Sequence, residues 1–128
     1  MLKCQCTMNA EMGNVAAPID LRDRTLEFAR EVICFARHHQ RNQLARPVIN
    51  QLVKSATSVG ANFIEAKNAS SKKDFRNKVF ISKKEASETK YWLKLCEEFD
   101  NSPELDRLQA ECHEIILILQ KIVTNLDH

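Results

Sequence analysis

Glycine and proline are scarce: two and three residues in a chain of 128. Antiparallel sandwiches and barrels turn their chain often and use more of both, so that architecture is disfavoured. The same scarcity removes Gly-rich phosphate loops, and no nucleophile elbow or zinc-binding helix motif is present. Aromatic residues make up only 6%. No apolar run reaches the eighteen residues of a membrane span. The opening residues Met1-Leu2-Lys3-Cys4-Gln5-Cys6 lack the apolar centre of a signal peptide. The five cysteines are an odd number and suggest no paired framework. A reducing, cytoplasmic setting is expected, with no membrane partner and no cofactor. What the chain does have is 44% hydrophobic and 28% charged residues, enough for one ordered, all-helical domain.

The charges are segregated. The formal net charge is only +2. Residues 41–94 nevertheless hold twelve basic and four acidic groups, whereas residues 95–128 hold two basic and eight acidic. A basic middle and an acidic end point to a polyanionic partner or to self-complementary assembly.

Residues 1–17 show no periodicity and are expected to form a flexible N-terminal tail ahead of a bundle domain over 18–128. Asp20 suits an N-cap, and Leu21, Thr25, Phe28, Val32 and Phe35 repeat at helical steps towards His39. Pro47 fits the first turn of a second helix carrying Ile49, Leu52, Ala56, Val59 and Phe63. Its middle is small, and Gly60 sacrifices up to about 1 kcal/mol of helix propensity. Ser71 with Asp74 resembles a capping box, opening a third helix towards Phe99. Ser102-Pro103 caps a fourth, in which Leu105, Leu108, Cys112, Ile115, Leu119, Ile122 and Leu126 form a regular seam. Four amphipathic helices with short connections predict an antiparallel, up-down-up-down four-helix bundle.

The third helix carries the candidate chemistry. At about 100° per residue, Lys72, Arg76, Lys83, Lys90 and Lys94 fall within an arc of about 40° with no acid between them. Such a row of cations suits a nucleic-acid backbone. Phe80, Tyr91 and Leu95 lie roughly opposite the core stripe, which predicts an oligomer interface. Glu85, Glu88, Asn62 and Glu65 sit near the small-residue faces of the second and third helices. Without paired Glu-x-x-His motifs they are expected to make register-fixing interhelical hydrogen bonds, not to hold a metal or act in catalysis. Cys34, Cys96 and Cys112 read as core residues.

Gln51-Leu52-Val53-Lys54-Ser55-Ala56-Thr57-Ser58-Val59-Gly60-Ala61-Asn62 resembles the second-helix signature of the four-helix-bundle family also called the 23S rRNA-intervening sequence proteins. Glu65-Ala66, Ala69 and Ser71-Lys72-Lys73-Asp74-Phe75 resemble its loop, and Lys83-Lys84-Glu85-Ala86-Ser87-Glu88-Thr89-Lys90-Tyr91-Trp92-Leu93 its third helix. Asp20-Leu21, Arg24-Thr25 and Phe28-Ala29 are similar to the family's opening. The resemblance implies a four-helix bundle that assembles as a homopentamer, with no established enzymatic activity. A more distant branch is the accessory protein of diversity-generating retroelements, which implies RNA or DNA and a reverse transcriptase as partners. The departures are Ala66, where many members have Gly, the acidic fourth helix, and the tail. The expected function is a non-enzymatic, homo-oligomeric bundle that binds RNA or a nucleic-acid/reverse-transcriptase complex through its basic surface. The alternative is a protein-interaction scaffold with no direct nucleic-acid contact.

Overall fold

Local chemistry sets each helix start. In the computed structural model, which describes residues 20–126, the Asp20 carboxylate accepts from the backbone N–H of Arg22 at 3.0 Å and opens α1, Leu21–Arg37. The chain then turns, with the N–H of His38 on the Phe35 carbonyl and that of His39 on Ala36. The α1–α2 connection is ordered by Asn42, whose side-chain oxygen accepts from Leu44 N at 3.1 Å and Ala45 N at 3.2 Å. Helix α2, Arg46–Lys67, has Pro47 in its first turn, where a missing N–H leaves no gap in the ladder. Ser71 caps α3, Lys72–Leu95, by accepting from Asp74 N at 3.0 Å. Helix α4, Pro103–Leu126, follows a corner in which Asp100 holds both the N–H and the hydroxyl of Ser102 at 2.7 Å.

Two ends differ from expectation. Helix α1 stops at Arg37, short of His39, and α3 stops at Leu95, followed by a 3-10 turn over Cys96–Glu98. The tighter turn brings Phe99 and Asp100 back towards α1. There His39 Nε2 meets Asp100 Oδ2 at 2.8 Å, and the His39 ring packs 5.0 Å from those of Phe35 and Phe99. Burial alone would raise the Asp100 pKa, but hydrogen bonds from Ser102 and His39 outweigh it and hold the carboxyl below its usual range.

The four helices close into an all-α bundle in which each packs on its sequence neighbour and α4 returns to α1. Helix α2 against α3 is the most extensive contact and α1 against α4 the slightest. The core is continuous: Phe28, Val32 and Phe35 from α1, Leu52, Val59 and Phe63 from α2, Val79 and Leu93 from α3, and Leu105, Leu108, Ile115 and Leu119 from α4. Each such side chain contributes roughly 1.5–3 kcal/mol by leaving water. The α2–α3 seam is filled by Ser55, Ala56, Ser82, Ala86 and Thr89, all buried, so these helices approach closely. Among the described residues, no helix is long and apolar enough to cross a membrane. The N-terminal tail predicted for residues 1–17 lies outside the described residues.

Candidate polyanion-binding surface

Three strips run along α3 because its sequence repeats three kinds of side chain at helical spacing. Val79, Ser82, Ala86, Thr89 and Leu93 form the buried strip. The cations Lys72, Arg76, Lys83, Lys90 and Lys94 form the strip on the α4 side. Lys72, Lys90 and Lys94 are exposed, and Arg76 and Lys83 are half-buried. Along the axis the row extends about 33 Å, comparable to one turn of a nucleic-acid duplex.

Lys90 Nζ lies 3.5 Å from His113 Nδ1 of α4. Lys94 Nζ is 3.3 Å from Glu97, an exposed contact of little energetic weight. Lys83 stands 5.8 Å from the centre of the Phe80 ring, within cation–π range. Lys78 does not join the row; it turns towards α2 and pairs with Glu65 at 2.7 Å.

The acids of α4 face mainly the other way. Glu111 grips the Arg24 guanidinium of α1 with two contacts, 2.7 and 2.9 Å, and Glu114 approaches it at 3.9 Å. Glu31 of α1 lies in the same seam. Burial pushes its carboxyl up to about 7; Arg107 opposes the shift, and Glu27, Glu111 and Glu104 add to it. The negative end of the sequence therefore neutralises the α1–α4 seam more than the α3 row.

The apolar strip is only partly as expected. Phe80 and Tyr91 are 43% and 58% exposed, whereas Leu95 is half-buried. Beneath them Trp92 packs against the core, its ring edge-on to Tyr91 at 5.0 Å. Among the described residues its buried Nε1 finds no hydrogen-bond partner.

The expected register contacts are made only in part by the expected residues. Asn62 donates to Ser58 of its own helix at 2.8 Å. Of the four polar groups considered, Glu65 makes an interhelical bond, to Lys78. Register between α2 and α3 is instead set by hydroxyls: Ser82 donates to the Val59 carbonyl at 2.7 Å, and Thr89 shares a hydrogen bond with Ser55 at 2.8 Å. The Cys112 thiol bonds the Ala86 carbonyl of α3 at 3.3 Å. Cys96 and Cys112 are buried in the core, as their place beside the apolar stripes predicts. Cys34 departs from that expectation: it is buried but lies outside the core cluster, and it is disulfide-bonded although the odd cysteine count suggested no pairing. Among the described residues no group of three or more His, Cys, Asp or Glu side chains is placed to hold a metal ion. The His39–Asp100 contact was not legible in the sequence, because it joins residues far apart in the chain.

Residues 19–121 match the sequence profile of a family described as 23S rRNA-intervening sequence protein. The fold is also similar to the crystal structure of a protein of unknown function from the S23 ribosomal protein family of Bacteroides thetaiotaomicron. That chain is 34% identical, with a TM-score of 0.76 over 81% of this chain and 98% of that one. No curated protein matches.

Proposed function

Because the chain belongs to the 23S rRNA-intervening sequence protein family, we propose that it is a non-enzymatic, homo-oligomeric bundle that binds RNA through α3. The observation that carries this reading is the row of Lys72, Arg76, Lys83, Lys90 and Lys94 on one ridge, with most α4 acids directed to the opposite seam. Phosphates meet such a row by Coulomb attraction and counterion release, without a pocket. The row carries no base-reading geometry, so recognition is of backbone and shape.

Anisotropy of a labelled structured RNA, titrated at several salt concentrations, tests this. Five phosphate contacts give a log–log salt slope of about −4.5 on duplex segments and about −3.5 on single-stranded ones. Lys83→Glu with Lys90→Glu should abolish binding at moderate salt while leaving the helical circular dichroism intact. Full affinity in the reversed protein would remove α3 from the site.

Phe80 and Tyr91 carry the oligomeric part of the reading, as large apolar groups on an outer face above an orphaned Trp92 donor. A pentamer is proposed. Tyr91→Glu should shift the mass measured by light scattering towards the monomer; an unchanged mass would show that this strip is not the interface.

A further inference from the structure

Helices α1 and α3 are diagonal in the bundle, so the α1–α2 face lies on the side away from the α3–α4 cations. That face carries a groove. Its floor is set where Gly60 meets Thr25: a Cβ at Gly60 would stand 3.1 Å from Thr25 Oγ1 and 3.3 Å from its Cβ. With the backbones this close, Ala29, Thr57 and Ala61 line a shallow channel instead of filling it. Leu26, Ile33 and Ile64 stand along the channel, 50%, 41% and 43% exposed. A depression of about 620 Å³ at this end and one of about 590 Å³ at the other lie on the same α1–α2 face and both border Ile33. The groove follows α1, whose 17 residues span about 25 Å.

The rim is cationic. Arg22, Arg30, Arg37, Arg46 and Lys54 line the two cavities, and among the described lining residues Asp23 is the one acid. Arg22 pairs with Asp20 at 3.0 Å in an exposed contact, and the exposed Arg30 approaches the half-buried Glu27 at 3.7 Å; surface pairs of this kind are weak enough for a partner's carboxylates to compete.

An apolar floor between two cationic edges selects a particular occupant. Residues 1–19 carry one lysine and one glutamate and so offer the rim no net negative charge. The α3 apolar strip of a second copy brings Lys73, Lys83 and Lys84 with it and is repelled. The acidic α4 offers a single large exposed apolar side chain, Leu117. We propose that the α1–α2 groove is a docking site for an acidic amphipathic helix of a partner protein, its apolar stripe over Leu26, Ile33 and Ile64 and its Asp and Glu side chains against the arginines.

The test uses the full chain and two labelled synthetic 18-residue peptides with leucines at i, i+3, i+4 and i+7. One carries Glu on both flanks, the other Lys. The Glu peptide should bind saturably and at least about tenfold tighter than the Lys peptide, with the gap closing as salt rises. Leu26→Glu or Ala61→Glu should weaken it about tenfold or more. Arg30→Glu with Arg37→Glu, both exposed and outside the core, should erase the preference and raise the affinity for the Lys peptide, a gain that misfolding does not produce. Absence of binding, equal binding of both peptides, or a preference that survives the arginine reversal would overturn the proposal. So would loss on Lys83→Glu with Lys90→Glu, which would place the peptide on the α3 row. A fall in the free protein's own mass on Leu26→Glu would show the occupant to be a second copy.

Discussion

The α2–α3 and α1–α4 seams are held by different chemistry. Between α2 and α3, small side chains bring the backbones together, and hydroxyls bond neutral partners at 2.7 to 2.8 Å. Between α1 and α4 the packing is slight, and the strongest link is the two-pronged Arg24–Glu111 pair, with side chains 27% and 28% exposed. Apart from the Lys78–Glu65 pair at its solvent edge, the first seam fixes distance and register with groups that do not titrate. The second tolerates charges because it is not closely packed, and it responds to protons and salt. One bundle can thus be rigid along one edge and adjustable along the opposite one.

Overpacking the tight seam should break it hardest. Ala86→Leu places three more carbons where Ala86 is 1% exposed, and about 3 kcal/mol of stability should be lost. For a domain of this size that lowers the melting temperature by roughly 12–20 °C. A drop of only a degree or two would mean that α2 and α3 have room to separate. Next comes Thr89→Val, which keeps the shape and removes the hydroxyl that bonds Ser55 and the Glu85 carbonyl. It should cost about 1 kcal/mol in urea unfolding, equally at pH 5 and pH 8. A marked pH dependence would contradict the neutral character assigned to this seam.

Glu31→Gln probes the other seam and should act in the opposite direction. Burial raises the folded-state pKa of Glu31 to about 7, above its ordinary 4.5. The folded protein then holds the proton more tightly than the unfolded chain. Stability from this group is therefore fully present below about pH 4.5 and is lost as pH rises towards 7. Solvent reaches the half-buried carboxyl, so the loss is discounted to about 1 kcal/mol. The glutamine variant should melt higher than the parent at pH 8 and with it at pH 4; identical curves at both would remove Glu31 from the account. The smallest effect is that of Arg24→Gln, about 0.5–1 kcal/mol at low salt and less at high salt. A loss that persists in molar salt would show that Arg24 acts by packing.

What was legible in the sequence is what depends on a single helix. Asp20, Ser71 and Ser102 announce helix starts because a cap is local chemistry. The α3 cations fall in a row because the helical repeat alone decides it. What was not legible depends on two helices. The acidic total of residues 95–128 gives no direction, and only the packing reveals Glu111 turned towards Arg24. Nothing in the sequence marks Ala29 and Ile33 as the lining of a groove, because periodicity does not tell a flank covered by a neighbour from one left open. Asn62, judged by residue type, was expected to bridge helices, but it satisfies itself on Ser58 one turn away. The early end of α3 goes with a contact between residues far apart in the chain, His39 and Asp100.

The buried thiols of Cys96 and Cys112 have a kinetic consequence. Both are free, and burial pushes both up to about 12. Only the thiolate reacts with an alkylating reagent, so in the closed bundle each is protected twice, by access and by protonation. Cys96 sits where α3 passes into its terminal turn, and Cys112 lies in the middle of α4 against Ala86. Their labelling, followed separately by peptide mass, is a pair of clocks already wired into the chain. If the two run together, α3 and α4 part in one event; if Cys96 runs ahead, the bundle frays from the His39 end before it opens.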